Sequence, residues 1–269
     1  MKKRTLVVVL AAMGLMWCLS KAQEVKFEYQ FKPGDITKTK VTERTRISGE
    51  ALRGQSFDVI VEIFSSLRVE GVSEQGVVTL VETQDSVYAS MNGQKIENPG
   101  AEKLNGLKFA IKRTKSGRCL ERTPLQEVSS DLKSTLDANQ QDCKNDRGFP
   151  EKPIKVGESW SEDKSFSLDL GGVRFDYTIN IANRFLGFDK YAGTDCAVFR
   201  QTATMNGVLN FDEGTGTLTG SGKGNRFFAL SSARDLMTFM DITASREIET
   251  SRGKQTVRIV VNVKDEMIK

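Results

Sequence analysis

The side chains that could do acid–base chemistry are carboxylates, because none of the 269 residues is a histidine. A Ser-His-Asp triad, a Cys-His pair and histidine ligation of a metal are therefore excluded. A glycoside hydrolase can work with two carboxylates, but they must converge on one bond. The candidates are scattered along predicted strand faces and turns: Asp163, Asp169, Asp176, Asp195, Asp212 and Glu213. We predict no catalytic residue, and a carboxylate-based hydrolase is a remote alternative.

Two glycine-containing stretches imitate ligand-binding motifs. Gly222-Lys223 has Thr217 where a phosphate-binding loop needs glycine, and Gly224 where it needs serine or threonine. Asp212-Glu213-Gly214 lacks the alternating oxygen ligands of a calcium loop. We predict a turn and a twisted hairpin with glycine kinks here. No metal and no cofactor is expected.

The chain begins with a segment typical of a signal peptide. Basic residues at 2–4 precede an apolar run over 5–19, and small residues follow up to Ala22. The apolar run is too short for a membrane span. We predict removal of residues 1–22 and export to the periplasm, the outer-membrane surface or the medium. Trp17 stands where a lipoprotein signal has a small residue before Cys18, which argues against acylation there.

The net charge of the chain comes from this leader. The whole chain has 39 basic and 35 acidic residues, and four of the basic ones lie within residues 1–22. The remaining chain has as many basic as acidic residues. Its charge gives no reason to expect nucleic acid or anionic lipid as a partner.

Three cysteines remain after the leader, an odd number for an oxidising compartment. Cys119 and Cys143 flank a predicted helix, so they are the favoured disulfide pair. Cys196 lies in a predicted strand and is expected to be a buried thiol. None of the three has metal-site spacing.

Most of the chain has the two-residue alternation of strands. Val25–Phe31 and Phe175–Ile181 each place apolar residues on one face. Asn92-Gly93 is a strong hairpin signal, and no strand–helix–strand alternation favours a parallel sheet. The predicted fold is therefore mainly β (α+β), a curved antiparallel sheet or half-barrel.

One segment has helical spacing instead. Thr123-Pro124 is a helix start with proline at the first helical position. The apolar residues that follow recur at three- and four-residue intervals: Leu125, Val128, Leu132 and Leu136. We predict an amphipathic helix from Pro124 to Cys143 that packs across the sheet and could cover a ligand with these four residues.

The mid-chain stretch Phe149–Trp160 is predicted to be a hinge between two similar halves, since two prolines interrupt regular structure there. Ile154–Glu158 can be aligned with Phe31–Asp35. Three further pairs follow in the same order: Phe57-Asp58 with Phe175-Asp176, Met91–Gly93 with Met205–Gly207, and Phe109–Ile111 with Phe228–Leu230. The predicted division is a first β half over 23–123, a helix and linker over 124–149, and a second β half over 150–269, together forming one structural unit.

The second half is rich in aromatic residues, and most of them alternate as core residues do. Phe185 and Phe188 flank Gly187 at a predicted turn, where burial is less assured. We predict that these two contact a ligand or partner.

The segment Pro150–Trp160 carries a resemblance. Together with the early Phe31–Asp35 turn, it resembles a family of secreted bacterial proteins that have a Pro-x-x-Pro-Val-x-Val-Gly-x-x-Trp segment at mid-chain; here Ile154 replaces the first valine. The resemblance covers most of the chain after the leader but implies no activity. The layout is more loosely similar to periplasmic lipoprotein carriers, in which helices cover a curved sheet over an apolar cavity.

Two classes of function therefore stay open beside the remote hydrolase. The first is a non-catalytic exported protein that holds an apolar molecule or lipid between sheet and helix. The second is an envelope or extracellular interaction module whose strands or loops contact another protein or a glycan. The first predicts a cavity, and the second predicts a filled core with an exposed apolar patch.

Overall fold

A computed structural model describes residues 24–52, 55–96, 103–128, 143, 145–169, 173–211, 214–250 and 253–268. These residues form a twelve-stranded antiparallel sheet with one short 3-10 turn at Glu50–Leu52. No helix in the described part of the chain is long and apolar enough to cross a membrane. The strands are β1 (Ile36–Gly49), β2 (Ser56–Val72), β3 (Val78–Met91), β4 (Gln94–Lys95), β5 (Lys108–Arg113), β6 (Cys119–Pro124), β7 (Ser159–Asp169), β8 (Val173–Tyr191), β9 (Thr194–Phe211), β10 (Gly214–Ala229), β11 (Arg234–Thr250) and β12 (Gly253–Ile268).

The sheet consists of two meanders joined by β1 and β12. Its order is β6-β5-β3-β2-β1-β12-β11-β10-β9-β8-β7, and β4 adds to β3. The central pairing runs from Lys38 opposite Ile268 to Gly49 opposite Val257. Strands from the beginning and the end of the chain therefore hold the two meanders in one continuous sheet.

The predicted α+β class is wrong, because strand stands where the helix was predicted to begin. Pro124 ends β6 and lies opposite Phe109 of β5, and the N–H of Leu125 donates to Lys108 O at 2.8 Å. β6 is the last strand on its side of the described sheet, where a proline without an N–H is tolerated. Pairing with β5 thus overrides the local helix-start signal, and the described residues form an all-β fold. Residues 129–142, with Leu132 and Leu136, lie outside the described part.

The sheet is strongly curled. Tyr177 of β8 and Glu43 of β1 have four strands between them, which is about 24 Å along a flat sheet. Nevertheless, the Tyr177 hydroxyl donates to Glu43 Oε1 at 2.9 Å. The inner faces of β1 and β8 therefore meet across the inside of the curl, as the predicted curved sheet requires.

Glycines on β10 permit this curl. A Cβ added to Gly222 would lie 2.4 Å from Asp241 O, and one added to Gly224 would lie 2.0 Å from Phe239 O. Only glycine allows β11 to approach so closely. The prediction of a glycine-kinked hairpin, rather than a phosphate loop, is confirmed by the pairing of β10 with β9 and β11.

The mid-chain stretch is packed into the core. Ile154 exchanges two backbone hydrogen bonds with Val25, at 2.8 and 2.9 Å. The buried Phe149 ring lies in a cluster of aromatic side chains at one end of the sheet. The rings of this aromatic cluster belong to Phe27, Tyr29, Phe149, Trp160, Phe185, Phe199 and Phe228.

The two turns aligned in the sequence make matching hydrogen bonds. Gly34 donates to Val69 O at 2.8 Å, and Gly157 donates to Phe185 O at 2.8 Å. Both acceptors border a β-bulge, one in β2 and one in β8. The aligned segments Met91–Gly93 and Met205–Gly207 do not occupy matching positions, because Met91 ends β3 whereas Met205 lies within β9.

Candidate functional site

The curl of the sheet encloses a cavity of about 490 Å³. One part of its lining is apolar and comes from β1, β8, β11 and β12: Val41, Ile179, Ile181, Met240, Ile242 and Val263. The rest carries charged side chains from both meanders and from the segments at its end. The cavity therefore combines an apolar floor with a charged wall.

Strand register explains how charged side chains reach the inside. Glu43 lies opposite Val263, which lies opposite Met240, so these three residues form one inward row. In the next row Val41 lies opposite Asp265, which lies opposite Thr238. Because residues two apart share a face, Glu43 and Asp265 lie on the face that carries the apolar floor.

A buried ion pair closes one end of the cavity. Arg226 contacts Asp235 through Nε at 2.7 Å and Nη2 at 2.9 Å, and its guanidinium lies 4.3 Å from the Phe149 ring centroid. The Tyr29 hydroxyl donates to Asp235 Oδ2 at 2.5 Å and accepts from Arg226 at 2.6 Å. Burial raises the pKa of Tyr29 well above its ordinary value, so the hydroxyl remains a donor.

Two further ion pairs line the wall formed by the first meander. Arg122 of β6 contacts Glu82 of β3 at 2.7 Å, with both side chains largely buried. Arg113 of β5 lies 3.4 Å from Asp146. All three arginines of the described lining therefore face a carboxylate.

Other lining carboxylates lack such a cation in direct contact among the described residues. Glu43 accepts hydrogen bonds from the hydroxyls of Tyr177 at 2.9 Å and Thr45 at 3.2 Å, and burial raises its pKa. Burial also raises the pKa of Asp265 to about 6, and nearby Asp235 adds to this effect. Asp265 is accessible on the cavity side although protein surrounds it. Desolvation thus disfavours the charged forms of both.

An amide chain ends at a third such carboxylate. Gln201 Nε2 donates to Asn183 Oδ1 at 2.8 Å, and Asn183 Nδ2 lies 3.4 Å from Glu162 Oε1. A carboxylate only accepts, so Asn183 must present its nitrogen to Glu162 and its oxygen to Gln201. Gln201 Oε1 is left without a donor among the described residues, although the side chain is 98% buried.

Cys119 and Cys143, both on the cavity lining, are joined by a disulfide. They are the pair favoured from the sequence. Cys196 is a fully buried free thiol on β9, and burial raises its pKa. The disulfide ties the segment that contains Asp146 to the cavity wall.

The apolar residues predicted to bind a ligand are not brought together at the cavity. Leu125 is 54% exposed beyond β6, and Val128 packs against the cluster around the disulfide. Phe185 is fully buried in the aromatic cluster, whereas Phe188 is 51% exposed on β8. Among the described residues the cavity lining includes none of these four.

The carboxylates considered for catalysis do not converge either. Asp163 accepts from Asn180 at 2.8 Å on an exposed face, and Asp195 is exposed 3.9 Å from Lys190. Asp212 and Glu213 lie outside the described residues. In the described ranges, no group of three or more histidine, cysteine or acidic side chains could hold a metal ion.

Sequence reasoning missed Glu43, Glu162 and Asp265. The signal for Glu43 was present, because it alternates in phase with Val41, Thr45 and Ile47 of the inward face. A charged residue in the buried register of a strand is exceptional unless it is paired or functional. Glu162 and Asp265 became recognisable only once the curl was known.

No protein-family model and no curated protein matches the chain. Among solved structures, it is similar to a Bacteroides fragilis protein assigned as exported with a YmcC-like fold, at 9% identity over 88% of this chain and 98% of that one, with a TM-score of 0.28. The hypothetical lipoprotein YmcC from Escherichia coli is 15% identical over 85% and 83%, with a TM-score of 0.25. OccK5 of Pseudomonas aeruginosa is 8% identical over 87% and 99%, with a TM-score of 0.29. The names of these proteins state no enzymatic activity, and at such TM-scores the likenesses carry no argument.

Proposed function

We propose that the protein is a non-catalytic binding protein of the cell envelope that holds a small ligand inside its curled sheet. The observation that carries the proposal is the cavity of about 490 Å³ with an apolar floor and a charged wall. Binding cavities combine these two kinds of lining, the apolar part for affinity and the polar part for orientation. The site lies within the curl and replaces the predicted site between sheet and helix.

Two features support the envelope location. The first 22 residues have the pattern of a signal peptide. The Cys119–Cys143 disulfide is a bond that persists in oxidising compartments outside the cytosol.

An interaction module is the second candidate, and one surface favours it. Val156, Leu186 and Phe188 are exposed apolar residues near the mid-chain turn. A Cβ built on Gly187, which lies between Leu186 and Phe188, would be 3.9 Å from Val156 Cγ2. A protein partner would bury this patch, whereas a ligand in the cavity would leave it exposed.

Native mass spectrometry of the protein from its own host tests the binding function. We expect a mass excess that is lost on denaturation. Val41→Trp places a large ring in the cavity and should abolish the excess, whereas Thr42→Trp, on the opposite face of β1, should keep it. A wild-type protein without any excess would contradict the proposal and favour the interaction module.

A further inference from the structure

We propose that the ligand is a cation, an ammonium group on an apolar body, held by Glu43, Glu162 and Asp265. This inference rests on the proposed function and adds the chemical class of the ligand. The described lining carries seven carboxylates and four cationic side chains. The Asp163 carboxylate accepts a hydrogen bond from Asn180 on an exposed face. If Asp163 is left out, the described lining still has two more negative than positive side chains. A ligand with a positive charge would neutralise part of this excess.

The arginines of the cavity are already neutralised. Each has a carboxylate within 3.4 Å: Asp235 for Arg226, Glu82 for Arg122 and Asp146 for Arg113. An anionic ligand would have to displace one of these carboxylates, leaving it unpaired inside the protein at considerable cost. Lys164 is the remaining cation of the described lining. Three lining carboxylates, Glu43, Glu162 and Asp265, have no arginine in direct contact among the described residues, although the charge of Arg226 acts on Glu162 and Asp265 from farther away.

Those three carboxylates have capacity for a cation. Glu43 is hydrogen-bonded to hydroxyls, and Glu162 lies near an amide nitrogen. Asp265 lies among Asp235, Lys164, Arg226 and Arg113, and the net effect of its surroundings is to disfavour its negative charge. An ammonium group would stabilise the charged form of each carboxylate that it contacts.

The amide chain independently points to a donor on the ligand. Gln201 lines the cavity, is 98% buried and has an acceptor oxygen without a donor in the described chain. Glu162 fixes the orientation of the Asn183 amide, and Asn183 in turn fixes that of Gln201, so the atom left without a donor is the oxygen of Gln201. An N–H group of the ligand that reached this oxygen would supply the missing donor.

The apolar floor defines the remainder of the ligand. Met240 and Ile242 line the cavity beside Ile179 and Ile181 from the other side of the curl. These side chains offer no hydrogen bonds, so they suit a hydrocarbon portion. An inorganic cation would use the carboxylates and leave the floor without a partner.

Isothermal titration calorimetry with a matched pair of probes tests the charge of the ligand. Octylammonium and octanesulfonate share an apolar tail and differ in the sign of the head group, and the ammonium head also carries N–H donors. We expect the ammonium probe to bind about ten-fold more tightly or better. Glu43→Gln and Asp265→Asn should each weaken its binding about five-fold, and Asp241→Asn, on the outer face of β11, should leave it unchanged.

The outcomes separate this inference from the proposed function. Tighter binding of octanesulfonate would overturn the inference that the ligand is a cation, while supporting a binding cavity. Equal binding of the two probes that neither acidic variant weakens would have the same meaning. If neither probe bound and the protein from its host carried no ligand, both proposals would fail. If either variant failed to fold, the other variant and the ratio of the dissociation constants of the two probes would still test the charge of the ligand.

Discussion

At the scale of single residues, the described lining of the cavity contains carboxylates that form no direct ion pair with an arginine. The arginines face Asp235, Glu82 and Asp146, whereas Glu43 and Asp265 are partly desolvated and have no arginine in contact among the described residues. Such groups lower the stability of the empty protein, because desolvation opposes their charge. A ligand that neutralises them would recover this stability.

Asp265→Asn should change how stability depends on pH. The pKa of Asp265 is about 6 in the folded protein against an ordinary 3.8. Between pH 4 and 6 the folded state therefore holds more protons than the unfolded state, so stability falls as pH rises through this window. The variant should lose that slope and gain about 1 kcal/mol at pH 7, a modest value because the side chain is accessible on the cavity side.

Urea denaturation of both proteins at pH 4, 5, 6 and 7 measures this effect. Glu43 and other carboxylates titrate in both proteins, so the difference between the two curves isolates Asp265. Identical slopes would show that Asp265 is not desolvated in the folded protein.

At the scale of elements, β10 determines whether a cavity can exist. Its inward positions Gly222 and Gly224 admit the backbone of β11, and the curl then brings β8 to β1. The sequence showed the glycines and the strand alternation, so the hairpin could be predicted. It did not show that inward glycines would bring Glu43 and Tyr177 together, because that contact depends on five strand pairings at once.

Gly224→Ala should destabilise the protein severely. Its Cβ would lie 2.0 Å from the backbone oxygen of Phe239, and backbone cannot move away cheaply. We expect a loss of about 3 kcal/mol or more in the free energy of unfolding. Gly71→Ala is the matched control in β2, because a Cβ there meets nothing within 4 Å. Equal stability of the two variants in thermal denaturation would refute the close approach of β10 and β11.

The helix prediction failed at this scale for a related reason. Thr123-Pro124 has the local signature of a helix start, but Pro124 pairs with Phe109 at the side of the sheet. Local signals describe about four residues, whereas strand pairing depends on a partner elsewhere in the chain. The ligand-binding prediction for Leu125 depended on that helix, and in the structure Leu125 is exposed beyond β6.

At the scale of the whole molecule, β1 and β12 join two meanders into one curled sheet that encloses the cavity. The first meander contributes Glu82, Arg113 and Arg122 to the cavity, and the second contributes Glu162 and Asp265. Neither meander would enclose the cavity alone. This is why alternating strands and paired cysteines could be recognised in the sequence, while the polar site between the meanders could not.

The most direct measurement is a crystal structure of the protein purified from its own host without a refolding step. We predict ligand density inside the curl, with its apolar part against Met240 and Ile181 and its charged group within contact of Glu43 or Asp265. Density for a partner over Val156 and Phe188, together with a cavity that holds solvent alone, would contradict the central claim that this protein binds its ligand inside the sheet.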